Sequence, residues 1–215
     1  LYVYRRDHED SSAAGLLRAT EQLLESLVRA KQWDEASPIA DEAWRQFNVL
    51  DAVSPDTCRD LAYSFKNLGQ FDRSITVSKH CIAERTRTLG STDLVTLSDY
   101  HDLAQAYDKA GRYREAAGIY GEILRVVEKR PVRDELVKSS TFEGLVPANI
   151  GWRLRIARAK LPLELLSEGE DLFSSGEREL ARERFLLGLM WRLATNPSSC
   201  VTDSPWRDLE DLLRG

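Results

Sequence analysis

Apolar residues between Ala13 and Arg130 recur at intervals of three and four positions, not two. This spacing places them on one face of an α-helix, so the pattern predicts helices throughout this part of the chain. The helical segments are interrupted at glycines and at pairs of polar residues, which are typical of turns. The sequence therefore predicts consecutive amphipathic helices joined by short connections.

One stretch of this pattern recurs 42 residues further along the chain: Asp60-Leu61-Ala62, Phe65, Gly69 and Phe71 return as Asp102-Leu103-Ala104, Tyr107, Gly111 and Tyr113. Each copy predicts a helix A, a turn at the glycine and a helix B. A weaker copy precedes them and has Lys31 at its turn position. A fixed period of this length is typical of stacked helical hairpins, because each copy buries its apolar face against its neighbours. We therefore predict an all-α solenoid of helix-turn-helix repeats.

The period is lost beyond Pro131, where prolines and glycines mark an irregular stretch around a helix from about Pro147 to Lys160. A further copy with its turn at Gly176 follows, and then a short terminal helix whose apolar stripe suits the end of a stack. The predicted organisation is a flexible tail at 1–12, three hairpins at 13–130, an irregular helical insertion at 131–162, a degenerate hairpin at 163–195 and a capping helix at 196–215.

The charge and the cysteines restrict the partners and the compartment. A formal net charge of -5 and a pI near 5.4 argue against nucleic acid or an anionic membrane as the partner, since both require an excess of Lys and Arg. No apolar run approaches the ~18 residues that a transmembrane helix needs. Three cysteines without metal-type spacing indicate neither a disulfide framework nor a zinc site, which favours a cytoplasmic protein. Because the first residue is Leu, we expect the chain to be a piece of something longer.

No pattern of residues predicts catalysis or a bound cofactor. His101 with Ser98 and Asp93 could be drawn as a catalytic set, but the chain has neither a nucleophile elbow nor a glycine-rich oxyanion loop. Asp7-His8-Glu9-Asp10 carries metal-capable side chains, yet adjacent residues in a frayed terminus rarely converge on one ion. We expect a non-catalytic protein without metal or cofactor.

The repeat resembles the tetratricopeptide repeat. Gly111-Arg112-Tyr113-Arg114-Glu115-Ala116 matches its turn and the start of its second helix, and Gln32-Trp33-Asp34-Glu35-Ala36 is a second match. The family's usual period is 34 residues. The longer period of this chain is similar to that of kinesin light chains and of signalling ATPases that carry such arrays at the C-terminus. The resemblance implies a right-handed superhelix and a protein- or peptide-binding module, as the scaffold or sensor region of a larger signalling protein.

The resemblance also implies where a ligand binds, because helix A of each hairpin lines the concave groove of such arrays. The groove positions are those between the core positions of helix A: Arg59, Asp60, Tyr63, Lys66, Asn67, His101, Asp102, Gln105, Asp108 and Lys109. Taken one by one, these residues are equally well explained as a solvated helix face. Kinesin-type repeats place Asn where this chain has Asp60 and Asp102. A carboxylate only accepts hydrogen bonds, so the substitution suggests a ligand that offers donors, such as Lys or Arg side chains.

Two alternatives stay open. One is an enzyme or enzyme subunit whose site lies in the 131–166 segment packed on the helical stack, which a closed pocket with convergent polar groups would favour. The other is self-association through apolar ends of the stack, which would make the protein a homo-oligomer.

Overall fold

The structure is a computed structural model that describes residues 13–50, 52–129 and 145–195. Those residues form eight α-helices and no strand: α1 (Ala13–Arg29), α2 (Trp33–Asn48), α3 (Pro55–Asn67), α4 (Phe71–Leu89), α5 (Leu94–Lys109), α6 (Tyr113–Lys129), α7 (Pro147–Ser174) and α8 (Arg178–Thr195). The predicted all-α repeat fold is confirmed. The predictions for the tail 1–12, for the first part of the insertion and for the capping helix 196–215 lie outside the described residues.

Consecutive helices pair into four hairpins, α1–α2, α3–α4, α5–α6 and α7–α8. The hairpins stack because α4 also packs against α5, and α6 against α7. The first helices of successive hairpins also touch, α1 with α3 and α3 with α5. The side chains that lie between the core positions of α1, α3 and α5 therefore share one surface, which we call the A face.

The four hairpin turns have the same hydrogen-bonding pattern, in which two successive amides bond back to the last turn of the first helix. In the third hairpin the Gly111 amide donates to Asp108 O at 3.2 Å and the Arg112 amide to Tyr107 O at 2.9 Å. This Schellman motif requires a left-handed residue at its turn position. Gly69, Gly111 and Gly176 provide it with φ of 76°, 78° and 88°, and Lys31 adopts a φ of 58° in the first hairpin.

Helix starts in the second and third hairpins follow from capping residues in the sequence. The Ser54 hydroxyl accepts from the Thr57 amide at 3.2 Å, with Pro55 in the first helical position. The Asp93 carboxylate accepts from the Val95 amide at 2.8 Å. These caps satisfy amides that have no partner within the helix and so fix where α3 and α5 begin.

The core is continuous along the stack because α4 contributes to two apolar clusters. Val77 and Cys81 pack with α1, α2 and α3, whereas Ile75 and Ile82 pack with α5, α6 and α7. Small residues are fully buried inside the hairpins, as at Ala104 and Ala116 in the third, where they allow the close approach of packed helices. A third cluster joins α7 to α8.

The predicted boundary between an insertion and a degenerate hairpin at 162/163 falls inside α7, which continues from Pro147 to Ser174. Proline lacks an N–H, so Pro162 leaves the Arg158 carbonyl without its usual intrahelical donor. The helix nevertheless continues, because Leu161, Pro162 and Leu165 are all buried against neighbouring helices. Tertiary packing therefore overrides the local breaker. The first half of α7 packs on α6, through Ile150 among others, and the second half forms the last hairpin with α8.

The outward face of α1 has no neighbour among the described helices. Leu23 is 49% exposed, although its equivalents in the second and third hairpins, Leu61 and Leu103, are 0% and 4% exposed. The difference arises because α3 and α5 are each preceded by the helix B of another hairpin. The same sequence position is thus a core position in two hairpins and a surface position in the first. In the described part of the chain, no helix is long and apolar enough to cross a membrane.

Candidate functional site

The ten predicted groove residues lie on α3 and α5, on or just beneath the A face. Tyr63 is 47% exposed, and Lys109 is also exposed. Arg59, Asp60, Asn67, Asp102, Gln105 and Asp108 are half-buried. Lys66 and His101 are buried. The surface therefore offers one aromatic ring and charged groups of both signs to a ligand.

Lys66 connects the two helices of the A face. Its Nζ donates to Gln105 Oε1 at 3.2 Å and lies 3.7 Å from Asp102 Oδ1. Burial lowers the pKa of Lys66, although Asp102 opposes this. Burial likewise raises the pKa of Asp102, opposed first by Lys66. Lys66 is buried and Asp102 is half-buried, so the pair holds α3 against α5, since removing Asp102 would leave the buried Lys66 charge without its partner.

His101 lies beneath the A face. Its ring packs edge-on against Tyr120 with centroids 6.0 Å apart, and its Nδ1 lies 3.2 Å from the Gln105 amide nitrogen. Burial lowers its pKa to about 4, and the positive charges of Arg153 and Lys66 lower it further. The imidazole is therefore neutral at physiological pH, and its role is to support Gln105 and Tyr120 from below.

The remaining predicted residues bond mostly to nearby groups. Arg59 lies 3.3 Å from Asp56 and 3.8 Å from Asp60, and the Asn67 amide donates to the Tyr63 carbonyl at 2.8 Å. Asp108 reaches a different helix. It pairs at 3.0 Å with Lys160 of α7.

Lys160 and Arg153 thus extend the A face onto α7. Arg153 lies close enough to affect the pKa of His101, Lys66 and Asp102, and the Lys160 ammonium lies 5.1 Å from the centre of the Tyr113 ring. Neither residue belongs to the predicted groove set, because the spacing within the sequence does not reveal that α7 approaches α5.

A small notch opens on the A face between α3, α4 and α5. Its volume is about 10 Å³, and its lining is Arg59, Ala62, Tyr63, Lys66, Ser74, Ser78, Cys81, Asp99 and Asp102. Asp99 is absent from the predicted set. Its equivalents in the first and second hairpins are Ala19 and Thr57, so the available sequence signal is a carboxylate where the other copies carry uncharged residues.

Asp99 is 2% exposed, and its two carboxylate oxygens differ in their surroundings. Oδ2 lies 2.5 Å from Arg85 Nε and 3.3 Å from Cys81 Sγ. Oδ1 has no hydrogen-bond partner. Burial raises the pKa of Asp99, and Arg85 opposes this. A buried acceptor without a donor is costly, so Oδ1 marks a place where a donor would be stabilised.

The first hairpin contributes Glu21 to the same face, at the position equivalent to Arg59 and His101. Glu21 is 3% exposed, and its Oε1 has no hydrogen-bond partner. Burial raises its pKa to about 7, and the nearby carboxylates of Asp60 and Glu25 raise it further. Part of the Glu21 population is therefore protonated at neutral pH.

A second, larger groove of about 690 Å³ lies between α4, α5 and α6. Leu97, Tyr100 and Ile119 are among the residues that line it, with Lys79, Glu115, Glu122 and Arg125 as its charged residues. Ile123, which stands where the family expects a small residue, lies in its wall. This groove was not predicted as a site. In the described residues, no cluster of His, Cys, Asp or Glu is arranged to hold a metal ion.

Stacked hairpins with a shared polar face on their first helices define a class of protein, the helical repeat proteins. Residues 56–129 match the sequence model of the tetratricopeptide repeat. The resemblance found in the sequence is therefore confirmed for this segment. Tetratricopeptide repeats are in general protein-interaction modules.

Two solved structures are among those similar to this chain. The nearly identical TPR-like repeats of a Podosopora anserina protein described as a kinesin light chain are 18% identical, with a TM-score of 0.44, over 87% of this chain and 100% of that chain. BtubC (BKLC) from P. vanneervenii is 14% identical, with a TM-score of 0.42, over 89% of this chain and 85% of that one. No curated protein sequence matches the chain.

Proposed function

We propose that the chain is a non-catalytic module that binds a peptide segment of a partner protein on the A face. The observation that carries the proposal is the Lys66 link from α3 to Gln105 and Asp102 of α5. It joins two consecutive first helices into one polar surface, with the exposed ring of Tyr63 beside it. An exposed aromatic ring among charges of both signs is a frequent composition of protein-binding surfaces.

The charges of this face indicate the ligand's polarity. Asp60 and Asp102 occupy equivalent positions in successive hairpins and can only accept hydrogen bonds. A ligand on this face therefore has to supply donors at intervals that match two stacked hairpins. The scaffold or sensor role in a larger cytoplasmic signalling protein stays a prediction, as does the alternative of an enzymatic site within 131–166.

A peptide-display experiment tests the proposal. Random twelve-residue peptides are selected on the immobilised chain, and the affinities of the selected peptides are measured against two triple variants. The first, Arg59→Ala with Tyr63→Ala and Lys109→Ala, alters the A face. The second alters three charged residues of the larger groove: Lys79→Ala, Glu122→Ala and Arg125→Ala.

We expect the first variant to raise the Kd at least tenfold and the second to leave it unchanged, with both still folded by circular dichroism. The opposite result would place the binding site in the larger groove. If both variants bind the peptides as tightly as the wild type, neither surface is the binding site. Either outcome refutes the proposal.

A further inference from the structure

The notch in the A face is too small for a ring or a branched group. Its volume of about 10 Å³ corresponds to one water-sized group, which also describes an ammonium. Tyr63 and Arg59 stand at its rim, half-buried or exposed, and Asp99 is its most deeply buried charged residue. A ligand group that enters it has to be compact and borne on a slender chain.

The unpaired Oδ1 of Asp99 shows which chemistry the notch accepts. Asp99 can only accept hydrogen bonds when ionised, and Asp102, three residues further along α5, also lines the notch and is of the same kind. The Arg85 guanidinium occupies Oδ2 and leaves Oδ1 without a donor. Oδ1 of Asp99 is therefore a buried acceptor that could take a donor from a ligand.

Charge counting leads to the same conclusion. The ion pairs around the notch join four carboxylates to three cations: Asp56, Asp60, Asp99 and Asp102 with Arg59, Lys66 and Arg85. Arg153 of α7 also acts on Asp102, more weakly than Lys66 and Arg59 do. Within the ion pairs themselves, the carboxylates outnumber the cations by one.

We propose that the notch anchors a lysine side chain of the bound peptide, with its ammonium between Asp99 and Asp102. This inference rests on the proposed function and names the ligand chemistry of the same surface. An ammonium is compact and has three donors, whereas the planar guanidinium of arginine is too large for the notch. The Tyr63 ring at the rim covers the aliphatic stem, as aromatic side chains commonly do for lysine.

The first arm of the test measures the notch directly. Carbon-13 NMR follows the carboxyl signals of Asp99 and Asp102 while Nα-acetyl-lysine methylamide is added, at constant ionic strength. The arginine and norleucine analogues serve as matched probes. We expect saturable shifts with the lysine probe, and a response at least fivefold weaker with the other two.

A variant pair localises the effect. Asp102→Asn removes one carboxylate of the notch. We expect it to raise the Kd of the lysine probe about tenfold, the typical effect of losing one charge-assisted hydrogen bond. Glu122→Gln removes a carboxylate of α6 that pairs with Arg125 outside the notch, and we expect no change. Equal effects of the two variants, or equal shifts from the lysine and norleucine probes, would overturn the inference.

The second arm separates this inference from the proposed function. In peptides selected on the chain, each lysine is replaced by norleucine and by arginine. Loss of affinity at one lysine, for both replacements, supports the anchor. Peptides that depend on Tyr63 but contain no essential lysine would leave the proposed function standing and refute the anchor. A lysine probe that binds while no peptide depends on Arg59 or Tyr63 would refute the proposed function and leave an amine-binding notch.

Discussion

Replacing Lys31 with glycine should stabilise the protein, although it removes a side chain and adds none. Lys31 is the turn residue of the first hairpin, and its φ of 58° lies in the left-handed region. Its amide and that of Gln32 donate to Val28 O at 3.1 Å and Leu27 O at 2.9 Å, the bonds that Gly69 and Gly111 support in the next two hairpins. The turn geometry is therefore conserved, and lysine carries the steric cost that glycine avoids.

The magnitude follows from two opposing contributions. A residue with a Cβ in the left-handed conformation costs about 1–2 kcal/mol relative to glycine. Glycine in turn loses more conformational entropy on folding, which offsets about 0.5–1 kcal/mol of that gain. We expect Lys31→Gly to raise the free energy of unfolding by about 0.5–1 kcal/mol, equivalent to about 1–4 °C in Tm for a chain of this size.

The reciprocal variant Gly111→Lys is the matched control. A Cβ at Gly111 would have no heavy atom within 4 Å, so the cost of this substitution is backbone conformation and not a steric clash. We expect it to lower stability by a similar amount, about 0.5–1 kcal/mol.

Because repeat arrays often unfold in parts, native-state hydrogen exchange of the α1 and α2 amides should accompany urea unfolding followed by circular dichroism. A decrease in stability for Lys31→Gly, or an increase for Gly111→Lys, would refute the reasoning.

Three further perturbations test packing and charge. Leu61→Ala should lower the free energy of unfolding by about 2–4 kcal/mol, and the equivalent Leu23→Ala by less than about 1 kcal/mol, as measured by urea unfolding. The difference is expected because Leu61 is fully buried and Leu23 is half exposed. Gly169→Ala should cost about 1–3 kcal/mol in the same assay, because its Cβ would lie 2.8 Å from the Phe185 ring. The wild type should lose stability as the pH rises from about 4.5 to 7, because the folded-state pKa of Glu21 is raised to about 7. The Glu21→Gln variant should not show this loss.

The sign of the last effect can be checked by counting protons. Between the unfolded and the folded pKa of Glu21, the folded state holds the proton and the unfolded state has lost it, so stability falls as the pH rises through this interval. A wild type and a Glu21→Gln variant with parallel pH profiles would contradict the assignment.

For the Gly169→Ala prediction, Gly118→Ala is the control, since its Cβ meets nothing within 4 Å and alanine is the better helix former. Equal effects of Gly169→Ala and Gly118→Ala would show that the contact with Phe185 does not decide the cost. Equal costs of Leu61→Ala and Leu23→Ala would show that burial does not decide it.

The sequence predicted the repeat because the signals for it are local. Turn glycines at 69 and 111 and the apolar spacing around them depend on residues within one hairpin. The continuity of α7 through Pro162 could not be predicted in the same way, since it depends on burial against helices that are distant in sequence. Lys31 shows a further limit. The backbone conformation of the turn was implied by alignment with Gly69, although the residue type argued against it.

The candidate site was less predictable than the fold, because it combines several helices. Spacing placed Lys66 and Asp102 correctly on α3 and α5, but it gave no information about their separation of 3.7 Å. It also missed Asp99, which is buried in the stack. Local patterns identify which face of a helix points outward, whereas the approach of Arg85 to Asp99 requires the stacking of α4 on α5.

The charge of the A face changes from one hairpin to the next at positions where the copies differ. One position carries Glu21, Arg59 and His101 in the three hairpins: a carboxylic acid with a raised pKa, a cation and a neutral imidazole. The stacking geometry at this position is repeated, so the change of charge along the face results from the side chains alone. In the proposed binding mode, a peptide that spans the three hairpins passes over a different group at each one, although Glu21 and His101 are buried, and this difference favours one direction of binding. The number of repeats sets the length of the A face, and the side-chain differences between the copies make its two ends electrostatically different.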